Sequence, residues 1–313
     1  MNLALTQAVK ALVRGLGFDA WGIAAAHPLT EAYAHTPTYA AYQRYRAWIE
    51  GGHHAGMRYL AETLALRQDP TRLLEGAQAI LLVLQSYFQT RQARPPLAQY
   101  AWGADYHARL RLRLQIVADY LERQGFAARP FVDTAPLLEK AWAVEAGLGW
   151  IGKNTLLLHR RLGSYTFIGG VLTTAPLLPD PPFYQDLCGT CNRCIEACPT
   201  KALSPYSLDA RRCIAYWTIE AREVQAEAPP LGEWLFGCDI CQVVCPWNRF
   251  ARPQGEFVPA AHAFWPREKW ATASRGEIKR LQRGSALRRA RPEKLLALAR
   301  QNPSPHRSGA IKG

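Results

Sequence analysis

Cys188-Gly-Thr-Cys191-Asn-Arg-Cys194-Ile-Glu-Ala-Cys198-Pro199 is the stretch on which the reading of this chain turns. Its spacing, C-x2-C-x2-C-x3-C-P, is that of bacterial two-cluster ferredoxins. A second run, Cys238, Cys241 and Cys245 before Pro246, repeats the pattern with one cysteine fewer, and Cys213 completes the count of eight. Three cysteines at this spacing wrap one face of a [4Fe–4S] cubane, while the cysteine before proline opens a helix leading away and reaches the other cluster. The expected ligand sets are therefore Cys188, Cys191, Cys194 and Cys245, and Cys198, Cys213, Cys238 and Cys241. Disulfides conflict with an intracellular chain. Zinc ribbons use paired knuckles and need neither the third cysteine nor the proline.

A cluster pair moves single electrons but binds no substrate. About 190 residues precede the first cysteine, too many for a simple carrier, so the clusters are expected to feed a redox site elsewhere in the chain. In that part, residues 3–16 carry Leu5, Val9, Leu12, Val13 and Leu16 at helical spacing. Residues 79–86 read as a buried strand, and 109–124 as a basic helix closed by Gly125. Phe131 and Val132 read as a short strand, followed by a helix through Ala146 and a strand over 165–174. Helices alternating with strands give an α/β (α+β) domain whose strand order the sequence leaves open. The expected units are an α/β domain over 1–178, a ferredoxin-type domain over 179–250 and a basic helical region over 251–313.

Two motif lookalikes fall away. Gly147, Gly149 and Gly152 spell G-x-G-x-x-G, but they follow a helix, and a dinucleotide site needs a strand there, so Gly147 reads as a helix end. Asp105-Tyr106-His107 begins a D-x-H-x-x-G-like string of cobalamin-ligating type, but Leu110 stands in place of the glycine. His107 is accordingly read as no cobalt ligand. Asp133 keeps two readings: a cap on the following helix, or an acid at a strand end, where a raised pKa would let it donate a proton near neutrality. Lys153 and Asn154 read either as loop residues or as contacts to a phosphate or amide.

The 313 residues carry 38 Lys and Arg against 25 Asp and Glu, a net charge of +13. From Pro266 onward there are thirteen Lys and Arg against three acids, so ten of the thirteen surplus charges lie in the last 48 residues. Ile278, Leu281, Leu287, Leu295, Leu296 and Leu298 recur there at helical spacing, which predicts short amphipathic helices. Such a segment is either a solvated helical tail or a polyanion surface, most naturally for nucleic-acid phosphates. The last ten residues or so, with Pro303, Pro305, Ser308 and Gly309, read as frayed. The longest apolar run, 79–84, is too short to span a bilayer, and Lys10, Arg14 and Asp19 break up any signal-peptide core. A cytoplasmic protein is expected. With no heptad stripe, it is expected to be a monomer.

Several stretches resemble the epoxyqueuosine reductase family: Val132-Asp133-Thr134-Ala135-Pro136, Glu139-Lys140-Ala141-Trp142-Ala143 and Gly147-Leu148-Gly149-Trp150-Ile151-Gly152-Lys153-Asn154. Tyr106-His107, Arg212-Cys213-Ile214-Ala215-Tyr216 and the block from Cys238 to Asn248 match as well. The resemblance implies a cobalamin- and iron–sulfur-dependent reductase that converts epoxyqueuosine to queuosine at the wobble position of tRNA. It implies a fold related to nitroreductases and to the corrinoid domain of reductive dehalogenases. Electrons from an external donor would reach base-off cobalamin through the two clusters. By the same correspondence Asp133 is the proton donor, and Met57, Trp102, Gly103, Ala104, Leu157, Ile168, Ala215, Glu220, Cys238 and Asp239, together with Asp133, line the cobalamin. Longer members continue into HEAT-like repeats, of which residues 284–290 resemble the start. The competing classes are a corrinoid reductase of a small molecule and a ferredoxin-type electron carrier. The basic C-terminal region disfavours the first, and the long N-terminal domain disfavours the second.

Overall fold

The computed structural model describes residues 1–90, 96–253 and 255–301. The stretch expected to fray lies outside the described residues, as do Arg307 and Lys312.

Helix α1 (Leu3–Gly15) starts at Asn2, whose side chain accepts the Leu5 N–H at 3.0 Å. It buries Leu5, Val9 and Val13. Strand β1 (Ala20–Ala25) follows, then α2 (Pro37–Glu50), with Pro37 in its first turn and Thr36 as cap. The short helices α3 (Arg58–Glu62) and α4 (Leu64–Gln68) lead to strand β2 (Ala79–Ser86), every residue of which is buried. Next come α5 (Tyr106–Arg123), β3 (Ala128–Val132) and α6 (Glu139–Glu145). A small hairpin, β4 (Trp150–Ile151) and β5 (Leu157–Leu158), precedes the long strand β6 (Thr166–Thr173).

The main sheet has the order β1-β2-β6-β3, and all three pairings are antiparallel. The domain is therefore α+β, not a doubly wound parallel sheet. Alternate residues of β2 enter different layers: Leu81 and Val83 join α1 and α5, whereas Ile80, Leu82 and Leu84 join Trp142 of α6. A strand covered on both faces reads as a continuous apolar run. At about 1.5–3 kcal/mol per buried aliphatic side chain, this strand is a major source of the domain's stability. A Cβ on Gly170 of β6 would fall 2.1 Å from the Leu81 carbonyl oxygen and 2.6 Å from the Phe131 ring, so the sheet centre requires glycine.

The cysteine-bearing segment carries α7 (Arg193–Glu196), the β7–β8 hairpin (Leu203–Ser204 and Ser207–Leu208), a π-helical turn (Tyr216–Glu220) and α8 (Ile240–Val243). Cys245 opens a 3-10 helix (Pro246–Phe250), as expected for a cysteine before proline. Cys198 does not: the chain turns there, with Lys201 N–H donating to the Cys198 carbonyl at 3.1 Å, and enters the hairpin. Paired backbone contacts, such as Ala98 N–H to Phe236 O at 2.8 Å, join this segment to the first.

The basic C-terminal region folds as α9 (Arg267–Thr272), α10 (Arg275–Gln282), a 3-10 turn (Ala286–Arg289) and α11 (Pro292–Arg300). Ser274 and Glu277 form a reciprocal capping box on α10. Trp270, Ile278, Leu287, Leu295 and Leu298 are buried in the same core as α1 and α5. The region is thus part of the folded body, not a solvated tail. Lys294 is 6% exposed, and its ammonium donates to the carbonyls of Trp217, Ile219 and Ala221 at 3.3, 3.1 and 2.7 Å. It fastens α11 to the π-helical turn. Burial pulls its pKa down to about 8.

Candidate active site and cysteine centres

Asp133 follows the last residue of β3 with a φ of +57°, a left-handed conformation that costs a non-glycine residue about 1–2 kcal/mol. Thr134 N–H closes the turn onto the Val132 carbonyl at 2.6 Å. Helix α6 begins six residues later, with Leu138 as its N-terminal flank, so Asp133 caps no helix. Its carboxylate is held from α5 instead. Tyr106 Oη donates to Asp133 Oδ2 at 3.0 Å, and His107 Nε2 lies 3.3 Å from the same oxygen. His107 Nδ1 is 2.7 Å from Asp105 Oδ1, and Asp105 also caps α5 through the His107 N–H. Asp105 Oδ2 is paired in turn with Arg288 of the C-terminal region at 3.2 Å. Stacking on Phe167 at 3.9 Å fixes the Tyr106 ring.

An imidazole with a carboxylate at each nitrogen is best satisfied as a cation, because only then do both nitrogens donate. Partial burial works against that charge, but the hydrogen bonds the ring donates to Asp133 and Asp105, with their negative charges, outweigh it and raise the His107 pKa above its ordinary value. Asp133 moves the other way. The cleft walls desolvate its carboxyl and push the pKa up, although 58% of the side chain is open. The His107 hydrogen bond and charge, the Tyr106 hydroxyl and Arg289 win, leaving it below the usual carboxylate value. The expectation of a raised Asp133 pKa is therefore corrected. The acid with the raised value is Glu139, at the first position of α6. Burial and the negative charge of Asp133 push it up to about 8, against the opposing charges of Arg67 and Lys140. Glu139 Oε1 is shut off from solvent without a hydrogen-bond partner.

The thiols converge in two groups. Cys245 faces Cys188, Cys194 and Cys191, and the four line one cavity of about 70 Å³ together with Lys153, Asn154, Leu158, Leu187, Pro246 and Trp247. A single water needs about 10–15 Å³ on such a measure, so the cavity admits several atoms. In the second group, Cys238 faces Cys213 and Cys198, and Cys241 faces Cys238 and Cys213. All eight cysteines are free thiols. Burial pushes up the thiols of Cys245, to about 11, and Cys213. Thiols gathered in two groups of four have the chemistry of thiolate sites for a cationic centre. No group of three metal-ligating side chains close enough for a single ion occurs among the described residues. Lys153 lies in the turn before the β5 strand. Its ammonium donates to Gly189 O at 2.7 Å and Asn192 Oδ1 at 3.0 Å, bracing the first cysteine loop.

A family model described as a 4Fe-4S double cluster binding domain matches residues 187–248, and one described as Epoxyqueuosine reductase QueG matches residues 67–134. The epoxyqueuosine reductase of Pseudomonas aeruginosa is 44% identical over 271 residues, 82% of this chain and 72% of its own length. The chain belongs to the epoxyqueuosine reductase family. Another epoxyqueuosine reductase, from Synechococcus sp. strain CC9605, is 40% identical over 317 residues and covers 96% of each chain. A crystal structure of selenomethionine-labelled epoxyqueuosine reductase superposes with a TM-score of 0.82 at 26% identity, over 95% of this chain and 80% of that one. An epoxyqueuosine reductase solved with an epoxyqueuosine-modified tRNA-Tyr stem loop gives the same values.

In this member of the epoxyqueuosine reductase family, several residues expected to line cobalamin gather around Tyr100. Its hydroxyl lies in the combined field of Asp133, Glu220, Asp239 and Arg289, and burial with these carboxylates raises its pKa. Asp239 is buried and accepts the Gln99 N–H at 2.8 Å. Glu220 is held by Arg289 at 2.8 and 3.1 Å, and the guanidinium lies over the Tyr59 ring. Met57 flanks α3, and Ala215 opens the π-helical turn, whose Tyr216 hydroxyl accepts the Gly56 N–H at 3.0 Å. Ala104 is exposed. Trp102 and Leu157 lie in core layers, Ile168 packs against one of them, and Gly103 abuts the Val258 carbonyl. The sequence carried no mark of Tyr100 or of Glu139 as an acid, and Arg289, expected with Arg280, Arg283 and Arg288 to meet tRNA, instead holds Glu220. The role of His107 also went unread, and only His107 carried a signal, its position two residues after a capping aspartate at the start of a helix.

Proposed function

We propose that this chain reduces epoxyqueuosine to queuosine in tRNA, with two [4Fe–4S] clusters and base-off cobalamin as cofactors. The reading rests on one observation above all: an Asp133 carboxylate held by Tyr106 and His107 at the open end of the sheet, in a chain of this family. The two cysteine groups would hold the clusters, which when bound supply one-electron transfer. Tyr59, Tyr100, Glu220 and Asp239, which lie close to one another and to Asp133, would hold the cobalamin. His107, engaged by Asp105 and Asp133 at its two nitrogens, would not be free to bind cobalt, which agrees with a cofactor bound without a histidine. When bound, cobalamin supplies the cobalt centre that delivers electrons to the epoxide carbon.

The chain's own residues manage protons. Converting an epoxide to an alkene and water consumes two electrons and two protons: both C–O bonds break, and the oxygen leaves as water. Asp133 projects into the open cleft and delivers a proton to the epoxide oxygen, drawing it from His107, which Asp105 orients. Glu139 holds a second proton behind Asp133. We keep residues 1–178, 179–250 and 251–313 as the catalytic, electron-transfer and basic helical units. The exposed Arg280 and Arg283 offer phosphate contacts for tRNA. No helix among the described residues is long and apolar enough to cross a membrane. A tRNA substrate puts the enzyme in the cytoplasm, supplied by an external low-potential electron donor and acting as a monomer.

The test is anaerobic reconstitution with iron, sulfide and cobalamin, followed by incubation with epoxyqueuosine-containing tRNA and dithionite. Queuosine should form. A fully loaded protein that forms none overturns the reading.

A further inference from the structure

Two buried N–H donors beside the first cysteine group have no nitrogen or oxygen acceptor in the protein. Asn154 is 4% exposed and lines the cavity of Cys188, Cys191, Cys194 and Cys245. Its Oδ1 accepts the Leu156 N–H at 3.3 Å, which fixes the amide's orientation and leaves Nδ2 buried and unpaired. Trp150, 3% exposed, stacks at right angles on Trp247 at 4.8 Å, and Trp247 lines the same cavity. Its Nε1 is likewise buried with no nitrogen or oxygen acceptor, and its N–H is directed at the Cys188 sulfur. A buried donor left unpaired costs about 1–3 kcal/mol, so two around one cavity are anomalous unless an acceptor belongs there. The acceptors that fit are sulfurs: the cysteine thiolates and the sulfides of a cluster.

We propose that Asn154 Nδ2 and Trp150 Nε1 donate hydrogen bonds to the sulfurs of the cluster held by Cys188, Cys191, Cys194 and Cys245, raising its reduction potential above the value it would otherwise have. This rests on the reading of the cysteine groups as cluster sites. The sign follows from charge. Adding an electron makes the cluster more negative, N–H donors stabilise the reduced form more than the oxidised one, and the potential rises. The second group, with Cys238 next to Asp239 at the cleft, has the role of handing electrons on. Asn192 and Arg193, between cysteines of the first group, are exposed, which gives an external donor a surface to approach. A raised potential there makes it the ready acceptor for incoming electrons.

The experiment is an anaerobic redox titration of the reconstituted full chain, followed by electron paramagnetic resonance, on the wild type, Trp150→Phe and Asn154→Leu. Phenylalanine keeps the packing on Trp247. Leucine is close to asparagine in size and removes the donor without adding a charge beside the cluster. Iron content is measured first: about eight irons per chain in all three proteins establishes the clusters, and a wild type without them overturns the cluster reading itself. With clusters present, one of the two signals should move to a lower midpoint in each variant, further in the double variant, while the other stays. Midpoints unmoved in both single variants overturn the proposal, as does a shift confined to the cluster of Cys198, Cys213, Cys238 and Cys241, identified by its loss in Cys213→Ser.

Discussion

His107 Nε2 lies 3.3 Å from Asp133 Oδ2, while its Nδ1 is 2.7 Å from Asp105 Oδ1, so one imidazole links the exposed carboxylate of the cleft to a buried one. The link widens the ordinary separation between the two groups: the imidazole holds its proton to higher pH, and Asp133 gives its own up at lower pH.

Asp133→Asn should lower the His107 pKa, read by nitrogen NMR of the imidazole. The signs set a window. The raised His107 contributes stability fully below its unfolded value of about 6.5 and loses it as pH rises through the folded pKa. The lowered Asp133 contributes above about 3.9 and loses its share as pH falls. The wild type should therefore gain most over Asp133→Asn between those limits. An unchanged imidazole titration contradicts the coupling. His107→Gln should cut turnover about 100-fold with clusters intact.

Glu139→Gln imitates the protonated acid without its transferable proton. Wild-type turnover should fall as pH rises through about 8, and the variant should lack that limb and run about tenfold or more slower below it. Infrared spectra supply an independent measure: a protonated-carboxyl band persisting above pH 7 in the wild type should be missing in the variant. A wild type without such a band assigns no stored proton to Glu139.

Cys245→Ser should remove the cluster of Cys188, Cys191 and Cys194, far back in sequence, and spare that of Cys238 and Cys241 beside it. Paramagnetic resonance of the reduced variant should retain a single cluster signal. Loss of the other cluster instead would mean that the two groups do not interleave.

Lys294→Met leaves the carbonyls of Trp217, Ile219 and Ala221 without their donor. Relief of a buried charge offsets part of the loss, so a net cost of about 1–3 kcal/mol is expected from urea unfolding. A variant at least as stable as the wild type would show the clamp to be dispensable.

The basic residues of the C-terminal region divide. Arg280 and Arg283 are exposed, while Arg288 and Arg289 pair with Asp105 and Glu220. Arg280→Gln with Arg283→Gln should weaken tRNA binding and reduce the slope of log affinity against log salt by roughly 1–2. Arg289→Gln should chiefly raise the Asp133 pKa. Equal effects of the two changes on salt dependence would refute this division.

The cysteine grouping was legible because the spacing itself carries the geometry, and β2 was legible because burial on both faces leaves an unbroken apolar run. Strand β1, Ala-Trp-Gly-Ile-Ala-Ala, was not: its small residues set no period, and Gly22 is there because a Cβ would meet the Ala146 carbonyl at 2.0 Å. Asp133 was found as a residue but not in its charge state, which is set by His107 and Tyr106 from another element. Glu139 was invisible as an acid of unusual pKa, since nothing local marks a carboxyl whose oxygen will be buried beside a second one. The basic segment was located correctly, but its division between surface and site depends on partners far away in sequence.

Because Cys245 completes a group that begins at Cys188, three thiols, the last at Cys194, must wait for 51 further residues to be made. At about 5–20 residues per second that is several seconds of synthesis. The interval is one in which the nascent chain exposes a half-built sulfur basket to oxidants, and in which the timing of iron delivery decides whether the protein matures or is damaged.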